Sequence, residues 1–336
     1  MVDARAAILT GAKAAHTLHR DLGIQEQLER SGGGRIDVFG AIAKLGATLM
    51  FQPLDKLLGA YVPDDEPGIL ISTKRPLPVQ RFTGAHELGH LYLRHEPSLD
   101  DDKILRRAPF STSSRLDRQE READAFASMF LAPMWLLALI VKRQQWAPES
   151  LSDPVIVYQL SLRLGTSYSA TCHALERHRA IDRYERERLL SFEPKNIKRS
   201  LLSGYEPPDW RSDVWVITEK DEGILIEGGR NDLFIVRVLE NSSAGYLWSF
   251  EELKAAGFSL VDDDQEVDDP DRVGGLLTRR VTARSGGRAH GQVTLHESRP
   301  WMPEHRLHEL RLQYDLRGPE QPGMWEPELK RVLQAA

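Results

Sequence analysis

Between Arg81 and His95 the sequence reads R-F-T-G-A-H-E-L-G-H-L-Y-L-R-H, with His86, Glu87 and His90 forming an H-E-x-x-H core. Residues four apart on a helix stand one above the other, so a helical H-E-x-x-H segment aims two imidazoles at one point in space. The chemistry therefore requires a helix here, and a packed one. Leu88, Leu91 and Leu93 supply apolar positions around the motif, and Gly89 leaves room for close packing or for substrate. Neutral imidazoles suit Zn2+, which lowers the pKa of water at an open position to about 7. Glu87 falls beside that face, where it can take the water's proton. An ordinary amphipathic helix can also carry two histidines four apart, so the neighbouring sequence must decide.

Two features of that neighbourhood favour the metal. The apolar run Gly68 to Ser72, G-I-L-I-S, precedes the motif and suits a core strand. A second helical segment, Arg118 to Pro133 (R-Q-E-R-E-A-D-A-F-A-S-M-F-L-A-P), follows about thirty residues later. In it Glu120 and Asp124 are four apart and share a face, while Ala123, Phe126, Ala127 and Phe130 or Leu131 form the stripe that docks it. Zinc peptidases with two histidines commonly take a carboxylate as third ligand, and Glu120 fills that place. Asp124, one turn later, would accept the second N–H of a ligating histidine and fix its tautomer. Glu122 competes as a ligand but points about 200° around the helix from Glu120.

The two runs together resemble the ImmA/IrrE family of zinc metallopeptidases, with the gluzincin arrangement H-E-x-x-H plus E-x-x-x-D/N, over roughly residues 1–150. The resemblance implies His86, His90 and Glu120 as zinc ligands and Glu87 as the catalytic glutamate. It further implies a cytoplasmic protease that cleaves a helix-turn-helix repressor in stress, toxin–antitoxin or mobile-element responses. Asp124 stands where the family more often has Asn, and Ala132-Pro133 where it often has Met-Pro.

Around this centre the chain reads as a multidomain α+β protein. Residues 4–30 have alanine-rich helical spacing, ended by Ser31-Gly-Gly-Gly34, and Ile36 to Leu45 reads as a second helix. His16 and His19 lie three apart in the first of these, with no partner that suggests metal. Ala47 to Phe51, Leu57 to Val62 and Gly68 to Ser72 predict a three-stranded sheet, with the zinc helix directly after its last strand. Glu96 to Arg115 is polar and predicts a loop at the mouth of the cleft. His95 would close the zinc as a fourth ligand, so a role beside the site or at the surface is expected. Tyr92, His95, His173 and His178 stay open as groups that could stabilise an oxyanion.

A helix over Met134 to Trp146 closes a peptidase domain at residues 1–150. Residues 151–190 follow as a helical, helix-turn-helix-like segment in which a turn at Gly165 and a cap at Thr166 or Ser167 join two helices. The second helix exposes Ser, Tyr and Thr rather than basic residues, and the arginines after it alternate with acids. A solvated, salt-bridged helix is favoured there over DNA binding.

Residues 191–212 carry prolines and a glycine and read as a linker. Beyond them, short β-type runs at sandwich spacing predict an all-β, Ig-like module over 213–320 and a tail at 321–336. The acidic stretch Val261 to Asp271 is expected as a solvated loop. V-L-E-N-S-S-A-G-Y-L-W at Val238 to Trp248, A-R-S-G-G-R at Ala283 to Arg288 and S-R-P-W at Ser298 to Trp301 resemble the loops of chagasin-like inhibitors of papain-type cysteine proteases. The resemblance implies a partner surface at Asn241, Gly245, Tyr246, Gly286, Gly287, Arg299 and Trp301, with the three loops together at one end of the module. The first loop has lost the Pro and both Thr of that family's pattern.

The chain has 336 residues, 41% of them hydrophobic and 28% charged, enough for two or three domains. The single cysteine, Cys172, excludes an internal disulfide and fits a reducing compartment. The first thirty residues lack an apolar leader core and no stretch reaches about 18 apolar residues, so cytoplasm and no membrane span are expected. The net charge of −6 argues against a whole-chain nucleic-acid binder. The expected activity is zinc-dependent endopeptidase cleavage of a regulatory protein. A second expectation, from another class, is a sensor or binding protein with a structural zinc and a sandwich that recognises a protein or inhibits a cysteine protease.

Overall fold

The structure, a computed structural model, describes residues 2–95, 99–101, 118–266 and 277–335. The chain divides into two units: residues 1–142, 146–191 and 319–336 form one, and residues 143–145 and 192–318 the other.

The first unit begins with α1 (Val2–Asp21), α2 (Ile24–Arg30) and α3 (Val38–Lys44), followed by β1 (Thr48–Gln52), β2 (Leu57–Val62) and β3 (Gly68–Ser72). The motif helix α4 (Leu77–Leu93) leaves β3 directly, as its sequence position requires. Then come β4 (Leu99–Asp101), α5 (Arg118–Leu131), α6 (Met134–Gln144), α7 (Pro154–Leu164), α8 (Tyr168–Arg177) and α9 (Arg183–Leu190). The single helix expected over 4–30 is broken at Gly23, which takes a left-handed conformation at φ 61°.

The three expected strands form the centre of a five-stranded sheet of order β13-β1-β3-β2-β4. The outermost strand on one side, β13 (Gly323–Met324), comes from the segment read as a tail, and α12 (Glu326–Ala335) follows it. This differs from the expected sheet because a two-residue strand has no alternation to read. Tertiary bonds hold it: the Trp325 amide donates to Leu49 O at 3.1 Å, and the Leu49 amide donates to the Glu328 carboxylate at 3.1 Å. Gln80 on α4 also receives the Glu320 amide at 2.9 Å. The inward residues of β1 and β3, Leu49, Phe51, Ile69 and Ile71, are buried. Phe39 of α3 meets Phe51 edge-on at 5.3 Å, and this contact seats that helix on the sheet.

Residues 118–144 together are long and apolar enough to cross a membrane. The sequence expectation of no such run differs because Ser128 and Pro133 interrupt the apolar residues between Ala125 and Val141. Ala132 and Pro133 separate α5 from α6, and Phe126, Phe130 and Leu131 are spent in the core. On α1, the buried His19 donates from Nε2 to Phe130 O at 3.0 Å, its ring 4.8 Å from Phe130. Burial pushes its pKa down to about 4. An unfolded chain then binds more protons than the folded one between pH 6.5 and 4, so stability is complete above that window and falls through it. The loss approaches ~3 kcal/mol at its lower end. Melting temperatures of the metal-free protein at pH 7 and pH 4.5 should show it, and His19→Phe should flatten the slope.

Helices α7 and α8 meet at a turn, with Gly165 left-handed at φ 67° and Ser167 capping α8 by accepting the Ala170 amide. Its chemistry is internal. Within α8 only Ser169 is exposed. Buried Arg81 of α4 donates to Gly165 O at 3.1 Å and to Ile36 O at 2.7 Å, which ties this turn to the motif helix. Cys172 is fully buried.

The second unit contains α10 (Pro194–Leu201), β5 (Val214–Ile217), β6 (Leu225–Glu227), β7 (Leu233–Glu240), β8 (Leu247–Ser249), α11 (Glu251–Ala255), β9 (Ser259–Glu266), β10 (Leu277–Arg284), β11 (His290–Arg299) and β12 (Met302–Asp315). They make two four-stranded sheets, β5-β7-β10-β9 and β6-β12-β11-β8. Phe258 bridges them, edge-on to Phe234 of β7 at 5.7 Å and to Tyr314 of β12 at 5.2 Å.

Two expectations are corrected here. Residues 191–212 are folded rather than a linker: α10 lies within them, and Leu201, Leu202, Tyr205 and Trp210 pack with Val214, Leu233 and Ile235. Pro194 opens α10, a position where the missing N–H costs nothing. Residues 261–266 of the acidic stretch belong to β9, where Asp262, Asp263 and Glu266 pair with Arg280, Arg279 and Arg237 at 2.6–2.7 Å. Cross-strand partners make an acidic run strand-compatible. Residues 267–271 lie outside the described residues, as does the expected cleft loop 96–115 apart from β4.

Candidate metal centre

Helix α4 is buried along nearly its whole motif, including His86, Glu87 and His90. It can lie so close to α5 because Gly89 has no side chain: a Cβ there would stand 3.2 Å from both Ala123 Cα and Phe126 Cβ. Gly89 thus serves packing. The close approach delivers the carboxylates of α5 to the histidines of α4.

His86 Nε2 lies 3.0 Å from His90 Nε2. Glu120 places one carboxylate oxygen 3.3 Å from His86 Nε2 and the other 3.6 Å from His90 Nε2. Donors bound tetrahedrally at 2.0–2.1 Å stand roughly 3.3–3.4 Å apart, so the spacing suits a zinc-sized cation. The tautomers agree. His86 Nδ1 donates to Asp124 at 3.1 Å, leaving the Nε2 lone pair toward the cluster. Burial, then the neighbouring His86, push the His90 pKa down to about 3, which keeps that ring neutral. Two lone pairs and a carboxylate facing one another call for a cation. Among the described residues these three side chains form the one such donor group.

Glu87 is buried beside β2. A Cβ on Gly59 would lie 3.3 Å from Glu87 Oε1 and 2.5 Å from Thr83 Cγ2. Gly59 is a site residue that sequence reading missed, although an isolated glycine inside a strand run is the usual sign of close approach. Glu122 does not join this donor group. It accepts from His95 Nε2 at 3.0 Å and from Arg118 Nε at 2.7 Å, and His95 Nδ1 meets His90 Nδ1 at 3.0 Å, on the side of the ring away from the cluster. The other open groups point elsewhere: the Tyr92 hydroxyl donates to Asp21 at 3.4 Å, and His178 Nε2 donates to Ala132 O at 2.8 Å. His173 is partly buried, and burial lowers its pKa.

The loop residues in the second unit divide. Asn241 is internal, its amide and Nδ2 donating to the buried Glu297 at 2.6 and 3.2 Å. Gly245, at φ 80°, lies under the Trp301 ring, where a Cβ would come within 2.7 Å. The Arg299 guanidinium stacks over Tyr246 at 4.6 Å, and its Nε donates to Ala244 O at 3.2 Å. Trp301 is 67% exposed. Gly286 and Gly287 do not join this group. They precede β11 and pack on Ala256 and Gly257, whereas Trp301 follows the far end of that ten-residue strand, about 30 Å away. The expected meeting of all three loops is therefore corrected to a meeting of two. Trp301→Ala should leave the melting temperature of the protein nearly unchanged, within ~0.5 kcal/mol of stability. A large fall would show the ring to be core.

Residues 42–176 match the sequence family described as the IrrE N-terminal-like domain, Peptidase_M78. That stretch is similar to an IrrE N-terminal-like domain. It contains the whole His86, His90, Glu120 cluster together with Glu87 and Asp124, and the family it matches is one of peptidases. Among solved structures, a cysteine protease inhibitor from Entamoeba histolytica, EhICP2, is 24% identical over 32% of this chain and 97% of its own, at TM-score 0.28. Amebosin is 18% identical over 31% of this chain and 98% of its own, at 0.26. A Mycobacterium tuberculosis transcriptional regulator is 14% identical over 85% and 82%, at 0.33. No curated protein matches the chain.

Proposed function

We propose that the protein is a zinc-dependent endopeptidase whose substrate is a regulatory protein of the helix-turn-helix repressor kind. The observation that carries this reading is the three-donor cluster with a buried glutamate from the same motif beside it. A zinc ion held by His86, His90 and Glu120 would polarise the substrate carbonyl and lower the pKa of water at its open position to about 7. Glu87 then acts as the general base, taking a proton from the attacking water and returning it to the departing amine as the peptide bond breaks.

A structural zinc needs a fourth protein donor. His95, the nearest imidazole in sequence, turns its ring to the back of His90 and to Glu122, which supports the open site. The reading places the protein in the cytoplasm, in a stress, toxin–antitoxin or mobile-element response. Its second unit is read as an Ig-like sandwich, with the exposed Trp301 at the junction of two loops suited to hold a protein partner.

The test is cleavage of a purified repressor encoded beside this gene. Cleavage should stop after chelation and return with stoichiometric zinc. A repressor and an unfolded test protein that both stay intact with zinc bound would overturn the reading.

A further inference from the structure

We propose that His95 and Glu122 form a positioning chain that orients His90 for metal binding, the counterpart of what Asp124 does for His86. The inference rests on the reading that His86, His90 and Glu120 hold a metal. A ligating imidazole must present one nitrogen as a lone pair and is steadied by what its other N–H finds. For His86 that partner is the Asp124 carboxylate, 3.1 Å from Nδ1. For His90 it is a second imidazole, 3.0 Å away.

An imidazole can accept only if its own proton is on the other nitrogen. His95 meets this condition, because its Nε2 donates to Glu122 at 3.0 Å and its Nδ1 lone pair is left for the His90 N–H. Glu122 is in turn held by Arg118 at 2.7 Å. The hydrogen-bond order therefore runs from His90 to His95 to Glu122, and it leaves the His90 Nε2 lone pair aimed at the cluster. His90, His95 and Glu122 are all buried, so water does not compete for these bonds.

The backbone explains why His95 can reach this place. Arg94, the residue after α4, takes the left-handed conformation at φ 56°. The His95 amide then donates back to His90 O at 3.0 Å and the Arg94 amide to Leu91 O at 3.2 Å. This is the six-to-one and five-to-two pattern of a helix end usually built on glycine. An arginine in that conformation costs about 1 kcal/mol. The turn folds His95 under the last turn of the helix, against the ring of the second ligand.

The experiment measures zinc affinity of the apo protein against a chromogenic chelator, with the visible spectrum of the cobalt-substituted protein as a second readout. His95→Ala and Glu122→Ala should each weaken zinc binding 10–100-fold, the usual cost of removing such an outer hydrogen bond. Both should alter the cobalt spectrum. His95→Gln should recover most of the affinity, since its amide can accept from His90 and donate to Glu122. Glu120→Ala should lose far more than Glu122→Ala, being a ligand. His95→Ala binding zinc within threefold of wild type, or His95→Gln failing as fully as His95→Ala, would overturn the chain. A wild-type protein that binds no zinc would instead sink the metal reading itself.

Discussion

Glu87→Gln is expected to lower peptide cleavage by roughly 10²–10⁴-fold while zinc content and melting temperature stay at wild-type values. The amide has the size of the carboxyl it replaces, so the tight site against Gly59 and Thr83 is refilled without a void. The donors His86, His90 and Glu120 are untouched. What disappears is the capacity to receive a proton, and a loss of this size corresponds to about 3–5 kcal/mol of transition-state stabilisation. Glu87→Ala would be a poorer test, because it removes packing as well as the base. Steady-state cleavage, metal analysis and thermal melting on one preparation separate the possibilities. Undiminished turnover with zinc bound would remove Glu87 from the chemistry, and loss of zinc would show that it helps to hold the ligands.

The sequence made the donor cluster legible because helical periodicity converts spacing into position. His86 and His90 on one helix, and Glu120 and Asp124 on another, need only the four-residue repeat and a close crossing to converge. The surroundings of the site were less legible wherever position depends on a break in that periodicity. His95 lies five residues after His90, and its place against that ring depends on the left-handed Arg94. Glu122 lies away from Glu120 as helix geometry requires, but only its bonds to His95 and Arg118 reveal what that side of α5 does. Composition misled over residues 191–212, where prolines sit in a folded part of the second unit, and in the acidic β9, where arginines on neighbouring strands supply the charge balance. The return of β13 to the first sheet, where Gly323 and Met324 pair with Phe51 and Met50, carries no pattern of its own.

Gly11→Val should be among the most destabilising substitutions in the first unit, although it lies far in sequence from every residue of the donor cluster. In an exposed helix, replacing glycine favours the helix by a few tenths to about 1 kcal/mol, and on propensity alone Gly11 is an unfavourable residue for α1. The crossing of α1 and α5 reverses that sign. A Cβ at Gly11 would lie 2.0 Å from Glu122 O, 2.9 Å from Phe126 N and 3.0 Å from Ala125 Cβ. Two of these atoms are backbone, so no rotamer change relieves the clash and one helix must move. Overpacking of this kind costs about 3 kcal/mol, which outweighs the propensity gain. The helix displaced is the one that carries Glu120, Glu122 and Asp124, so its shift also separates Glu120 from histidines fixed on α4. A lowered melting temperature should therefore come with weakened zinc affinity in the fraction that remains folded, and excess zinc should restore part of the lost stability through mass action. A stability loss with unchanged zinc affinity would mean that α1 yields rather than α5, leaving the metal centre supported by α4 and α5 alone.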